Sequence, residues 1–96
     1  MIIKIEFDPA KDTVNLAKHG VSMVLAGELD WDNALVWLDE RFEYNEMRMI
    51  ALAPESNTLY YVAFVDHEDE DGEEVRRIIS LRPATRNEVK HYVESF

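Results

Sequence analysis

The sequence contains no cysteine among its 96 residues. Disulfides and thiolate metal sites are therefore excluded, along with any chemistry that needs a thiol. No apolar run approaches the roughly 20 residues that a membrane-spanning helix requires. The start is also unlike a signal peptide, because Met1-Ile2-Ile3-Lys4-Ile5-Glu6 alternates and places an acid early. The expectation is a cytoplasmic protein without a membrane role. Positive charge is scarce: 10 Lys and Arg stand against 20 Asp and Glu, for a formal charge of −10. That balance argues against strong nonspecific nucleic-acid binding, which needs cations to displace phosphate counterions. Neither a glycine-rich phosphate loop nor a serine or cysteine nucleophile signature is present.

What remains is a chain of 47% hydrophobic and 31% charged residues, read as one domain over residues 1–96. A chain of this size buries roughly 60–65% of its unfolded surface. Its charge is segregated. Seven acids fall within residues 66–74, whereas residues 75–92 hold five of the ten cations. The latter stretch looks like a strand, Val75–Arg82, handing directly to a helix after Pro83.

Alternation over Ile2–Phe7 predicts a strand. Asp8-Pro9 then caps and opens a helix running to about His19, with Ala10, Val14 and Ala17 on one apolar stripe and Gly20 as its terminator. Ser22 is placed to cap a short second helix over Met23–Leu29, and Asp30–Asn33 reads as a turn. Ala34–Leu38 is an apolar run expected as a strand covered on both faces. Met47–Ala53 and Thr58–Val65 are further strands separated by a turn at Pro54–Asn57. Residues 66–74 are expected to form a long hairpin loop. Thr85-Arg86-Asn87-Glu88 is a capping box for a last helix, whose Val89, Tyr92, Val93 and Phe96 form a stripe to dock on the sheet. Helices and strands are segregated. The fold class is therefore α+β, a mostly antiparallel sheet with two N-terminal helices and a C-terminal helix.

Three clusters carry candidate chemistry. By strict alternation Arg76, Ile78, Ser80 and Arg82 share one face of the last strand, and Arg77 falls on the other. With Arg86 at the helix start, these arginines either grip a phosphate or neutralise the adjacent acids. Glu46 and Arg48 are neighbours by parity, as a base with its phosphate clamp or as a surface ion pair. His19 is an acid–base candidate or a helix cap. Neither a calcium loop around Gly72 nor a zinc site from His19, His67 and His91 has workable spacing. No metal or other cofactor is expected.

The blocks Phe7-Asp8-Pro9-Ala10-Lys11 and Asn15-Leu16-Ala17-Lys18-His19-Gly20-Val21-Ser22 resemble the start of BrnT-type toxins of type II toxin–antitoxin systems. Asp39, Arg41, Tyr44, Glu46 and Arg48 match the middle of that family. Arg77-Ile78-Ile79-Ser80, Arg82, Ala84-Thr85-Arg86, Glu88 and Tyr92 match its end. Two positions depart from it: Asn45 stands where a glycine is common, and Pro83 where a basic residue is common. The resemblance implies a RelE-like fold, a metal-independent ribonuclease that inhibits translation, and a BrnA-type ribbon-helix-helix antitoxin through which alone DNA would be contacted. It also implies site residues: His19, Glu46, Arg48, Arg82 and Arg86 as catalytic, with Lys18 and Arg77 binding RNA. The rival expectation is a catalytically weak homologue that serves as a protein-binding module for a basic, DNA-binding partner.

Overall fold

The computed structural model describes residues 3–41 and 45–96. A five-stranded sheet carries one α-helix and two 3₁₀ segments before its second strand and one α-helix after its last. The strands are β1 (Lys4–Glu6), β2 (Leu35–Leu38), β3 (Met49–Glu55), β4 (Thr58–Glu68) and β5 (Glu74–Pro83). Their spatial order is β1-β5-β4-β3-β2, with β1 parallel to β5 and every other pair antiparallel. The helices are α1 (Pro9–His19) and α2 (Arg86–Glu94).

The termini of α1 follow from its sequence. The Asp8 carboxylate accepts from Ala10 N–H at 2.9 Å, Pro9 takes the first helical position, and Gly20 closes the helix at φ +75°. The buried face is not the expected one. Ala10, Val14 and Ala17 are exposed, and the residue α1 buries is Asn15. Its side chain donates to Val21 O (2.9 Å) and Leu81 O (2.8 Å) and accepts from Leu81 N–H (3.1 Å). The parallel strand β1 pairs only with Val75–Arg77, so further along β5 the Asn15 amide replaces the missing strand. One turn earlier, Asp12 accepts from Met23 N–H (2.6 Å) and Ser22 Oγ (2.7 Å). Polar contacts therefore dock this helix.

The expected second N-terminal helix is instead a 3₁₀ segment over Met23–Glu28, followed by another over Trp31–Asn33. Ser22 caps the first by accepting from Val24 N–H. Six residues that include Gly27 are too few to overcome α-helix nucleation, and short runs are where 3₁₀ geometry is found. Met23, Ala26 and Leu29 still reach the core, where they meet Ala51, Ala53, Val62, Phe64, Ile78 and Leu81.

Three strand expectations are also corrected. Ala34–Leu38 is not covered on both faces: β2 is the edge strand, with Val36 and Leu38 45% and 42% exposed. Pro54 lies inside β3, where its carbonyl accepts from Asp30 N–H beyond the end of β2. The missing Pro54 N–H thus points where no ladder bond is needed. The turn itself is only Ser56-Asn57, with Ser56 at φ +51°. Only the ends of the acidic stretch are strand, since β4 and β5 pair as far as Glu68 and Glu74. The loop is residues 69–73, closed by Asp69, which accepts from the Asp71 and Glu73 amides at 2.9 Å.

The last strand departs from strict alternation. Ala63 pairs with Ser80 and Phe64 with Ile78, so Ile79 is an extra residue in β5. A bulge of this kind reverses the face of everything beyond it. Directly paired residues share a face, so Arg77 (opposite Val65) joins Ser80 (opposite Ala63) and Arg82 (opposite Tyr61). Arg76 moves to the other face, where it stacks on Trp31 and Phe64 and bonds Asp66 at 2.8 and 2.9 Å.

Candidate functional site

The candidate functional face of the sheet is the one bearing Arg77, Ser80 and Arg82. A groove of about 570 Å3 opens beside it, between α1 and β5. Lys11, Lys18 and His19 line it from the helix, and Ile79 and Ser80 from the strand. The bulged residue and its neighbour thus form the groove wall. Gly20 ends α1 just after Lys18-His19, which places both at the groove and at the dipole's negative end.

His19 is held below the usual histidine range, first by burial and then by the charges of Lys18 and Arg82. At neutral pH it is a neutral imidazole, able to accept a proton. The Arg82 guanidinium carbon lies 4.0 Å from the Tyr61 ring centroid, and Arg82 donates to both Glu88 oxygens at 2.8 and 2.9 Å. Glu88 also accepts from Thr85 N–H at 2.8 Å, while Thr85 Oγ1 accepts from Glu88 N–H. The capping box is therefore present and is tied to Arg82. The hydrogen bond from Arg82 is the main cause that holds the Glu88 carboxyl below the usual glutamate range. Burial pushes the Tyr61 phenol up, against the nearby charges of Arg41 and Arg82, which keeps it a protonated donor.

Of the residues expected to act together, Lys18 and His19 meet at the groove and Arg82 is close enough to influence His19. Arg77 shares the Arg82 face but donates to Glu46 at 2.6 Å. Glu46 thus pairs with Arg77 rather than with Arg48. Arg48 precedes β3, where its carbonyl accepts from Asp39 N–H at 2.9 Å; the alternation of β3 puts it on the same face. Arg86 is exposed at the first position of α2. Tyr44 of the central block lies outside the described residues. The idea that the arginines neutralise the acidic stretch holds for Arg76, which binds Asp66.

The sequence reading missed Tyr61 as a platform for Arg82, and saw Glu88 only as a cap. The signal for Glu88 was its spacing, six residues from Arg82 across a proline turn. For Tyr61 the signal was the strand register, which a single sequence does not contain. The anion expected at the start of α2 is supplied by the protein itself, as Glu88. A second cavity, of about 320 Å3, lies by Trp31 and Arg76, where Asp66 and two rings already occupy that guanidinium. Among the described residues no three His, Cys, Asp or Glu side chains converge to hold a metal ion. No helix is long and apolar enough to cross a membrane, again among the described residues.

Fold and site together define a small α+β protein with a groove at the free margin of its sheet, where Lys11, Lys18 and His19 stand beside Asp8 and apolar residues. Residues 7–88 match the family model described as the ribonuclease toxin, BrnT, of type II toxin–antitoxin systems, and the chain belongs to that family. Membership in it implies an antitoxin partner. No curated protein matches the chain.

Proposed function

We propose that this protein is a metal-independent endoribonuclease of RelE-like fold that inhibits translation in the cytoplasm. A BrnA-type ribbon-helix-helix antitoxin neutralises it, and any DNA contact is made through that antitoxin. The observation that carries the reading is the bulge at Ile79, which gathers Arg77, Ser80 and Arg82 onto one face beside the Lys18–His19 groove.

The chemistry needs a base for a ribose 2′-hydroxyl and cations for the phosphate that it attacks. His19, kept neutral by burial and by adjacent positive charge, is the base. Attack of the 2′-oxygen on phosphorus breaks the bond to the 5′-oxygen of the next nucleotide, which takes its proton from water, and Lys18 binds RNA at the groove. Arg82, Arg86 and Arg48 stabilise the charge on the phosphate. Arg77 holds RNA and restrains Glu46. Since Glu46 already accepts from Arg77 at 2.6 Å, it is the weaker candidate for the base.

A second reading is a non-catalytic module that binds a basic partner. It draws on the fact that Arg77 and Arg82 are already paired with Glu46 and Glu88. One experiment separates the two. The ribonuclease reading expects expression of the chain alone to arrest growth, and the purified protein to cleave RNA in the presence of a chelator. It also expects Arg82→Ala with Arg86→Ala to relieve both effects, and His19→Ala to abolish cleavage while RNA binding persists. Intact RNA after incubation with pure wild-type protein, together with undiminished antitoxin binding by the double arginine variant, establishes the second reading instead.

A further inference from the structure

We infer that the outer edge of β2 is the docking line for an extended segment of a basic partner protein, which adds a sixth strand to the sheet. This rests on the antitoxin partner implied by the family and says where on the chain that partner sits.

Asp39 N–H donates to Arg48 O at 2.9 Å, so by antiparallel alternation Trp37 and Leu35 also turn their N–H and C=O groups toward β3. Those of Val36 and Leu38 then point outward, and among the described residues no hydrogen bond reaches them. Edge strands are normally protected by charged side chains, proline, a bulge or a covering element. Leu35-Val36-Trp37-Leu38 has no charge and no proline, and its register with β3 is unbroken. The opposite edge, β1, carries Lys4 and Glu6.

Side chains extend the same surface. Val36 and Leu38 are 45% and 42% exposed on one face of the edge. Against the other face lies α2, whose His91 meets Trp37 edge-on at 5.8 Å and whose Tyr92 hydroxyl donates to Asn33 O at 2.6 Å. That helix exposes Val93, and Phe96 just beyond its end is also exposed, at 65% and 72%. The stripe expected to dock on the sheet is thus largely uncovered. An added strand alternates its side chains and so meets Val36 and Leu38 on one face and the α2 flank on the other.

Charge selects the occupant. Glu28, Asp30 and Asp32 precede β2 and Glu40 follows it, all exposed. A second copy would set these acids against their own kind, with a charge of −10 on each chain. Like charges opposed across an interface disfavour pairing, and a basic segment is favoured.

The test uses the full chain and its cognate antitoxin, with affinity measured by titration calorimetry. Val36→Pro removes only an outward N–H and is of a kind that edge strands accept. Leu38→Lys blocks the same line while keeping every ladder bond. Each is expected to weaken antitoxin binding at least tenfold, and Asp32→Lys with Glu40→Lys to weaken it severalfold. Val24→Ser, a loss of exposed apolar surface elsewhere, should leave it unchanged. Wild-type binding with both edge variants within twofold overturns the docking line but not the antitoxin reading. Absence of any wild-type complex overturns both. A chain that dimerises alone, and loses the dimer in either edge variant, overturns the choice of occupant.

Discussion

Glu88 satisfies three donors with one carboxylate: both terminal nitrogens of Arg82 and the Thr85 amide. It fixes the start of α2 and the plane of Arg82 together. A phosphate at Arg82 therefore competes with Glu88 or uses the guanidinium edge that remains. Arg82 and Glu88 side chains are 27% and 22% exposed, so solvent screens the pair only in part. We predict that Glu88→Gln, which keeps the capping shape and removes the charge, lowers stability by about 1 kcal/mol. For a domain of this size that is a fall of about 4–8 °C in Tm. The pH dependence has a definite sign. The folded-state pKa of Glu88 is lowered, chiefly by the Arg82 hydrogen bond. Its contribution is complete above the ordinary glutamate value and disappears as pH falls through the lower folded value. Urea unfolding at neutral pH should separate wild type from Glu88→Gln, and the gap should close in acid. A gap of constant size across that range would mean that the carboxylate charge is not what matters.

At the scale of elements, the bulge in β5 decides which arginines can act together. Deleting Ile79 leaves Ser80 opposite Ala63, Ile78 opposite Phe64 and Arg77 opposite Val65 in one unbroken register, so Arg77, Ser80 and Arg82 keep a common face. The deletion removes only Ile79 from the groove wall, and growth arrest is predicted to persist. A deletion variant that folds but no longer arrests growth would show that the bulge itself, rather than the shared face of the arginines, matters to the site. Sequence patterning made some of this level legible and not the rest. Helix ends were legible because Asp8, Gly20 and Thr85 act through bonds to residues two to four positions away. The five strands were legible as apolar or β-branched runs. Three features were not, because each depends on distant residues. The bulge exists only relative to β4. The polar docking of α1 depends on Leu81, 66 positions beyond Asn15. The edge position of β2 follows from strand order rather than composition. The α2 stripe was read correctly as apolar and wrongly as covered. For the candidate site, the place of Lys18 and His19 at the end of a helix was legible. The pairing of Glu46 with Arg77, 31 residues away, was not.

Across the whole molecule the two charge regions lie at opposite ends of one strand. The acids gather at the β4–β5 hairpin, and the groove cations flank Ser80 and Arg82. From Glu74 to Arg82 an extended chain covers roughly 25 Å at about 3.3 Å per residue. The Debye length is about 8 Å at physiological ionic strength and about 30 Å at 0.01 M. The hairpin is therefore electrically remote from the groove in ordinary salt and close to it in dilute buffer. This separation reconciles a charge of −10 with the RNA contact proposed for the groove. It also yields a prediction for a variant in which Glu70, Asp71 and Glu73 are replaced by Gln, Asn and Gln. These loop side chains are exposed, so the fold should tolerate the change. RNA affinity of a non-cleaving His19→Ala background should rise severalfold at about 10 mM salt and stay within about twofold at 150 mM, since exposed charges beyond a Debye length are largely screened. Fluorescence anisotropy with a short single-stranded RNA reads both conditions. An equal gain at both salt concentrations would mean that the hairpin touches RNA directly, and the groove would then not be the whole of the RNA-binding surface.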